Sequence, residues 1–294
     1  MPSTRDIRRR IKSVKNTAQI TKAMQMVASA KMRKAQQAAL AGRPYAALMN
    51  EVLASVSGHA GDFSHALMRA PEVPTGKRAL IVISTDKGLC GSLNSNLLRE
   101  AGRADASATV YVTAGRKASQ FIARTRRNLA AEFTYKDSPT FAEARAISKF
   151  VQDLFLSGQV DAVDVLFTNF INVMTQKPEV RRFLPLGEVK GVDADIAGES
   201  SARDLKAAEF EYLFEPAPSD VFSALLPHYL NFQMYQLLLE CKASEHSARM
   251  VAMKNATDNA KQLIKDLTLE YNKMRQAAIT NQLLEISTAA MALG

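Results

Sequence analysis

The sequence predicts an α/β fold with long helices: an antiparallel coiled coil of N- and C-terminal helices plus a Rossmann-like α/β domain. Three observations predict it. Residues 228–293, 66 in all, contain neither glycine nor proline, the residues that most often interrupt a helix. Residues 3–41 lack both as well. Between these ends, short β-branched runs alternate with amphipathic stretches, the pattern of a mostly parallel sheet covered by helices.

At the amino end, Ser3 or Thr4 is the expected helix cap, with Asp6 favouring the positive end of the dipole. Ile7, Ile11, Val14 and Ala18 recur at helical spacing on one face. Arg5, Arg8, Arg9, Lys12 and Lys15 gather on the other, so the helix is apolar inward and basic outward. Gly42 and Pro44 predict a perturbation, after which Ala46, Leu48, Met49, Val52 and Leu53 carry the pattern on. Residues 1–57 thus form the N-terminal coiled-coil segment.

Gly58, Gly61, Pro71, Pro74 and Gly76 mark a boundary. The α/β domain is expected over residues 76–214, with strands at 79–84, 108–113 and 161–168 and helices at 93–104, 116–126 and 141–156. An edge strand at 180–184 and a last strand at 208–214 complete it.

The C-terminal coiled-coil segment is expected over residues 219–294, pairing with residues 1–57. Met250, Met253, Thr257, Ala260, Ile264, Leu267, Tyr271, Met274 and Ala278 recur at steps of three and four, which keeps one stripe facing a partner helix. An uninterrupted helix over residues 228–293 would run about 100 Å, too long to fold back on a small sheet. Alanine, threonine and methionine bury less apolar area than leucine or isoleucine, so at roughly 25 cal/mol per Å² the seam is thin. Antiparallel pairing buries the stripes of both ends.

Composition excludes several function classes. No apolar run approaches the ~20 residues that cross a bilayer, and the basic amino end lacks the apolar core of a secretory signal. Cys90 and Cys241 lie far apart, without CxxC spacing, and read as small buried hydrophobes rather than a disulfide or metal framework. Residues 1–50 hold eleven Lys or Arg against one acid, and the remaining 27 basic and 28 acidic residues nearly cancel, so the net charge of +9 resides at the amino end. That localisation points to an acidic partner. Nucleic acid is a weaker fit, because the first aromatic residue is Tyr45. The loop at 84–94 (STDKGLCGSLN) follows a strand and precedes a helix, yet matches neither GxGxxG nor GxxxxGK[ST]. Four histidines, His59, His65, His228 and His246, have no convincing nucleophile beside them. No catalytic residue, cofactor or metal is expected.

The opening IRRRIKSVKNTAQITKAMQMVASAKMRKAQ, the loop STDKGLCGSLN, the segment TNFINVMTQKP, the turn YLFEPAPSD and the closing ARMVAMKNATDNA, YNKMRQAAIT and LLEI resemble, in order, the gamma subunit family of F-type ATP synthases. The resemblance implies a non-catalytic rotor shaft turning inside an alpha3-beta3 hexamer, driven by a membrane c-ring and accompanied by an epsilon-type subunit. It implies a peripheral membrane protein on the cytoplasmic face of a bacterial inner membrane or the mitochondrial matrix side. By position in the motifs, it implies hexamer contacts at Arg8, Arg9, Lys12, Met24, Arg249, Arg275, Gln276 and Thr280. Membrane-ring contacts fall at Tyr212 and Glu215, and Cys90 marks the region facing the small rotor subunit. Some positions depart from the family pattern: Gln282 stands where many relatives carry an acid, Leu284 where some carry threonine, and residues 287–290 replace a more glycine-rich run. The dithiol insert of chloroplast relatives is absent. The rival readings are a basic coiled-coil adapter for nucleic acid or an anionic membrane, and a nucleotide-binding enzyme built on the α/β domain.

Overall fold

A computed structural model describes residues 3–59, 65–69, 71, 73–186, 215 and 217–293. The helices are α1 (Thr4–Ala41), α2 (Arg43–His59), α3 (Leu93–Arg103), α4 (Arg116–Arg124), α5 (Phe141–Leu156) and α6 (Pro218–Leu293). The strands are β1 (Arg78–Ile83), β2 (Thr109–Ala114), β3 (Leu129–Phe133), β4 (Ala162–Phe170) and β5 (Gln176–Leu184). The 208–214 strand expectation and the Tyr212 contact lie outside the described residues. Two compact units emerge, Met1–Ala28 with Met250–Gly294, and Ser29–Arg249.

In the first unit, α1 opens with a reciprocal cap: the Asp6 N–H donates to Ser3 Oγ at 3.2 Å, and Ser3 Oγ donates to the Asp6 carboxylate at 2.7 Å. That settles the cap on Ser3. Along α1, Ile7, Thr21 and Ala28 are buried and Ile11, Val14, Ala18 and Met24 half-buried; along α6, Met253, Thr257, Ala260 and Leu267 are buried and Met250, Ile264, Tyr271 and Met274 half-buried. Every residue of the expected stripes is thus buried or half-buried except Ala278, which is exposed, and Thr21, Met24 and Ala28 extend the α1 stripe. The helices run antiparallel around the contact of Thr21 with Thr257. Seventeen residues back along α1 lies Thr4, and seventeen forward along α6 lies Met274. Past that point α6 has outrun its partner, which explains Ala278.

In the second unit the sheet order is β3-β2-β1-β4-β5, with β4 and β5 antiparallel and the other pairs parallel. Alternation along β1 assigns the two faces. Leu80 and Val82 join Leu97 and Ala101 of α3 and Ala118 and Ile122 of α4. Ala79, Ile81 and Ile83 join Ala144, Ile147 and Val151 of α5, Ala46, Met49 and Leu53 of α2, and Phe222, Leu226, Tyr229 and Leu230 of α6. α5 begins with a full capping box between Thr140 and Glu143. From Tyr229 to Ala248, α6 is buried on nearly all sides, with only Gln233 and Tyr235 half-buried. β5 begins four residues before its expected start and tolerates Pro178 because it is an edge strand. The helix also starts upstream of the glycine- and proline-free run and carries Pro227 inside it.

Candidate partner-binding surfaces

The first candidate surface is the end of α6. Residues 275–291 are exposed throughout, among them Ile279, Leu283, Leu284, Ile286 and Met291. An apolar array of this length left in water marks a surface built to be covered. Arg275, Gln276 and Thr280 lie at the start of this stretch, all exposed. On α1, Arg8, Arg9 and Lys12 are exposed on the side away from the seam, while Met24 is half-buried beside it. Exposed Ile20, Met26 and Val27 add apolar area to the basic face. Those three were not singled out from the sequence, although Ile20 and Val27 stand off the three-and-four stripe and so carried a signal. Glu215 is exposed.

In the second unit the topological switch of the sheet lies between β1 and β4, where sheets of this order bind ligands beyond the strand ends. Here α6 itself lies across those ends. Ser244 Oγ donates to the Thr168 carbonyl at 2.9 Å, Ser247 Oγ to the Val173 carbonyl at 2.7 Å, and the Arg249 guanidinium to the Gly88 carbonyl at 3.3 Å. The 84–92 loop after β1 is tied to itself and its neighbours. The Asn94 amide donates to Thr85 Oγ1 at 2.8 Å and to Cys90 Sγ at 3.2 Å. Ser84 Oγ accepts the Ala118 N–H and donates to the Gly115 carbonyl. Cys90 is buried with Leu93 and Ala248, and burial raises its thiol above the ordinary range. Leu89, in a left-handed conformation, points out at 62% exposure.

Beneath this loop α6 carries a group of charges that sequence reasoning passed over. Lys242 is 1% exposed, with Glu245 Oε2 at 3.0 Å and Asp137 Oδ1 at 3.7 Å from its ammonium. Its ammonium also sits 4.5 Å from the centre of the Tyr135 ring. Glu245 Oε1 accepts Arg249 at 2.7 Å. Burial pushes the Glu245 carboxyl up, but Lys242 and Arg249 outweigh it and the net shift is downward. His246 stands in the same group; burial holds its imidazole down at about 4. Arg249, expected on a contact surface, keeps only 12% of its side chain exposed and is committed mainly to Glu245. Just before this group on α6, Glu240 accepts the Phe170 N–H at 3.2 Å, and burial lifts its carboxyl to about 7.

A family model described as ATP synthase matches residues 3–293. The ATP synthase gamma chain of Opitutus terrae is 51% identical over 295 residues, 99% of each chain. That of Methylacidiphilum infernorum is 46% identical over 100% of both chains. Among solved structures, a chain of the central stalk and c-ring of Tetrahymena thermophila mitochondrial ATP synthase matches with a TM-score of 0.59 at 26% identity, covering 81% of this chain and 99% of its own. A chain of the Euglena gracilis mitochondrial enzyme reaches a TM-score of 0.65 over 99% of this chain and 94% of its own, a likeness of fold at 19% identity.

Proposed function

The chain belongs to the ATP synthase gamma family, and from that premise we propose how it works: as the central rotor shaft that couples c-ring rotation to ATP synthesis and hydrolysis in the alpha3-beta3 hexamer. The observation that carries this reading is the exposed run of α6 over residues 275–291, unaccompanied among the described residues, with its apolar side chains. A sleeve that surrounds it without locking to it satisfies both the exposed leucines and the need to turn.

The shaft is made of one helix at its tip and two below it, so its cross-section is asymmetric. Rotation of an asymmetric body inside a ring of three like subunits presents a different face to each in turn. The hexamer then binds and releases nucleotide in sequence, each subunit's equilibrium biased by the face it meets. The nucleotide chemistry belongs to alpha and beta, and this chain is a non-catalytic transmission part.

The contacts follow from the motif positions, and the exposure of Arg8, Arg9, Lys12, Glu215, Arg275, Gln276 and Thr280 supports them. Arg8, Arg9 and Lys12 meet acidic lever loops of beta, an attraction that acts at a range of angles. Met24 lies beside those levers. Arg275, Gln276 and Thr280 hydrogen-bond to the sleeve as a catch, and Arg249, mostly engaged within the chain, takes a smaller share. Tyr212 and Glu215 meet the c-ring, and the Cys90 region meets the epsilon-type subunit through exposed neighbours such as Leu89. Among the described residues no helix is long and apolar enough to cross a membrane. The shaft is therefore held at the membrane by its partners, on the cytoplasmic face of a bacterial inner membrane or the matrix side of a mitochondrial one.

Reconstitution tests the reading. Purified chain added to alpha and beta subunits should give a stable assembly with strongly raised, cooperative magnesium-dependent ATP hydrolysis. Failure to incorporate into subunits shown to be competent would refute it.

A further inference from the structure

We propose that Asp137 is a positioning residue that pins the register of the two shaft helices where they leave the α/β sheet. This inference rests on the rotor reading above. The carboxylate lies on the connection between β3 and α5, and its two oxygens serve different helices. Oδ2 accepts Lys31 of α1 at 2.5 Å, and Oδ1 faces Lys242 of α6 at 3.7 Å.

The need for a pin comes from the packing around it. Here α1 meets α6 through Ala35 and Ala39 against Leu239 and Ala243, with Phe170 beside them. Alanine faces have shallow ridges, so they oppose sliding or rolling of one helix on another only weakly. A slip of one residue moves a side chain ~1.5 Å along the axis and ~100° around it, which no ion pair at hydrogen-bond distance survives.

The segment that carries Asp137 is itself fixed. The Tyr135 hydroxyl donates to the Ser84 carbonyl at the end of β1 at 3.0 Å. Its ring stands against Lys242, and the Glu143 carboxylate accepts the Lys136 N–H at 3.3 Å. The sheet, α1 and α6 therefore meet at one short stretch of chain. Torque delivered to the sheet enters both helices there, in one angular relation.

Stability alone gives a poor account of this arrangement. Lys242 already has Glu245 at 3.0 Å, so the buried ammonium keeps a charged partner without Asp137. Asp137 is half-exposed and adds little as a surface pair. What it supplies is a geometric tie, the role for which polar groups in helix interfaces are best attested.

The test uses the complete membrane-bound complex carrying this chain as wild type, Asp137→Asn, Asp137→Glu, Lys31→Gln and the double variant Asp137→Asn with Lys31→Gln. ATP hydrolysis, and ATP synthesis at a fixed proton gradient, are measured on each preparation. Asp137→Asn should lower synthesis about threefold, the effect of losing one partly exposed ion pair on a barrier, while hydrolysis stays within about twofold. Lys31→Gln should lower synthesis equally, the double variant no further, and Asp137→Glu should restore it. An unchanged ratio of synthesis to hydrolysis in both Asp137→Asn and Lys31→Gln overturns the proposal, as does an equal fall in both activities that glutamate does not rescue. If Asp137→Asn does not assemble, Lys31→Gln alone decides. A wild-type chain that fails to activate the hexamer overturns the rotor reading itself, and is told apart by that control.

Discussion

The hydroxyls of Thr21 and Thr257 meet at 2.8 Å inside the seam between α1 and α6. Each hydroxyl also has a carbonyl on its own helix, Met253 at 2.8 Å for Thr257 and Ala18 at 3.1 Å for Thr21, so either can donate across the seam. A hydroxyl pair in this setting orients the helices without adding bulk. Replacing either by valine removes one neutral hydrogen bond while leaving the other hydroxyl a carbonyl partner on its own helix, at Ala18 or Met253. Each single variant should cost about 1 kcal/mol, and the double variant about the same as one, because the shape is preserved and no polar atom is orphaned. Denaturation midpoints of the four proteins check this; simple additivity would mean the hydroxyls act independently.

At the other end of the seam, Gln276 and Thr280 sit on the exposed run of α6. Changing both to alanine should lower coupled turnover roughly tenfold, the loss of the two neutral hydrogen bonds proposed between these side chains and the sleeve, with assembly largely intact. Steady-state ATPase assays on reconstituted hexamer, with gel filtration for assembly, provide the measurement. Unchanged turnover would remove these residues from the catch.

Glu240 gives the second unit a pH dependence of known sign. Burial raises its carboxyl from the ordinary 4.5 to about 7; Arg181 opposes the rise and Glu179 adds to it. The folded state holds this proton more tightly than the unfolded state does. The stability it contributes is thus full below pH 4.5 and lost as pH rises through about 7. Glu240→Gln keeps an acceptor for the Phe170 N–H and cannot ionise, so at pH 8 it should be more stable than wild type by about 3 kcal/mol, with the difference vanishing near pH 4. Thermal melts at the two pH values measure it, and a constant offset would show that Glu240 is not the titrating group.

Gly115 joins β2 to α4 with a φ of +102°, and a Cβ there would stand 2.2 Å from the Ser84 carbonyl oxygen. The same oxygen receives the Tyr135 hydroxyl. Gly115→Ala should therefore destabilise the second unit by about 2–4 kcal/mol, since both backbone conformation and contact are unfavourable. Urea denaturation gives the number; a loss under 1 kcal/mol would mean the 84–86 turn yields readily.

Much of this architecture is legible in the residues. β1, β2 and β4 are β-branched runs buried on both faces, and their observed ends fall within two residues of expectation. α5 announces itself with Thr140 and Glu143 at capping-box spacing. β3 was not legible: LAAEF is five residues long, has no β-branched residue, and is recruited as a sheet edge by tertiary pairing with β2. At the surfaces, the basic face of α1 and the seam were read from spacing because exposure follows helix periodicity. The cluster of Lys242, Glu245, His246 and Arg249 was not, because such residues in a helix ordinarily signal solvent, and only the sheet's arrival around α6 makes them interior. The same reason leaves Arg249 more enclosed than its motif position suggested.

The burial of residues 229–248 also sets the order in which this protein can be made. The helix that fills the face of the sheet formed by Ala79, Ile81 and Ile83 is encoded after every strand of that sheet. At typical synthesis rates the ribosome finishes β5 and then needs on the order of several seconds to deliver this segment. Through that interval the part of this face that α2 and α5 leave uncovered stays open, an apolar surface of the kind that chaperones shield.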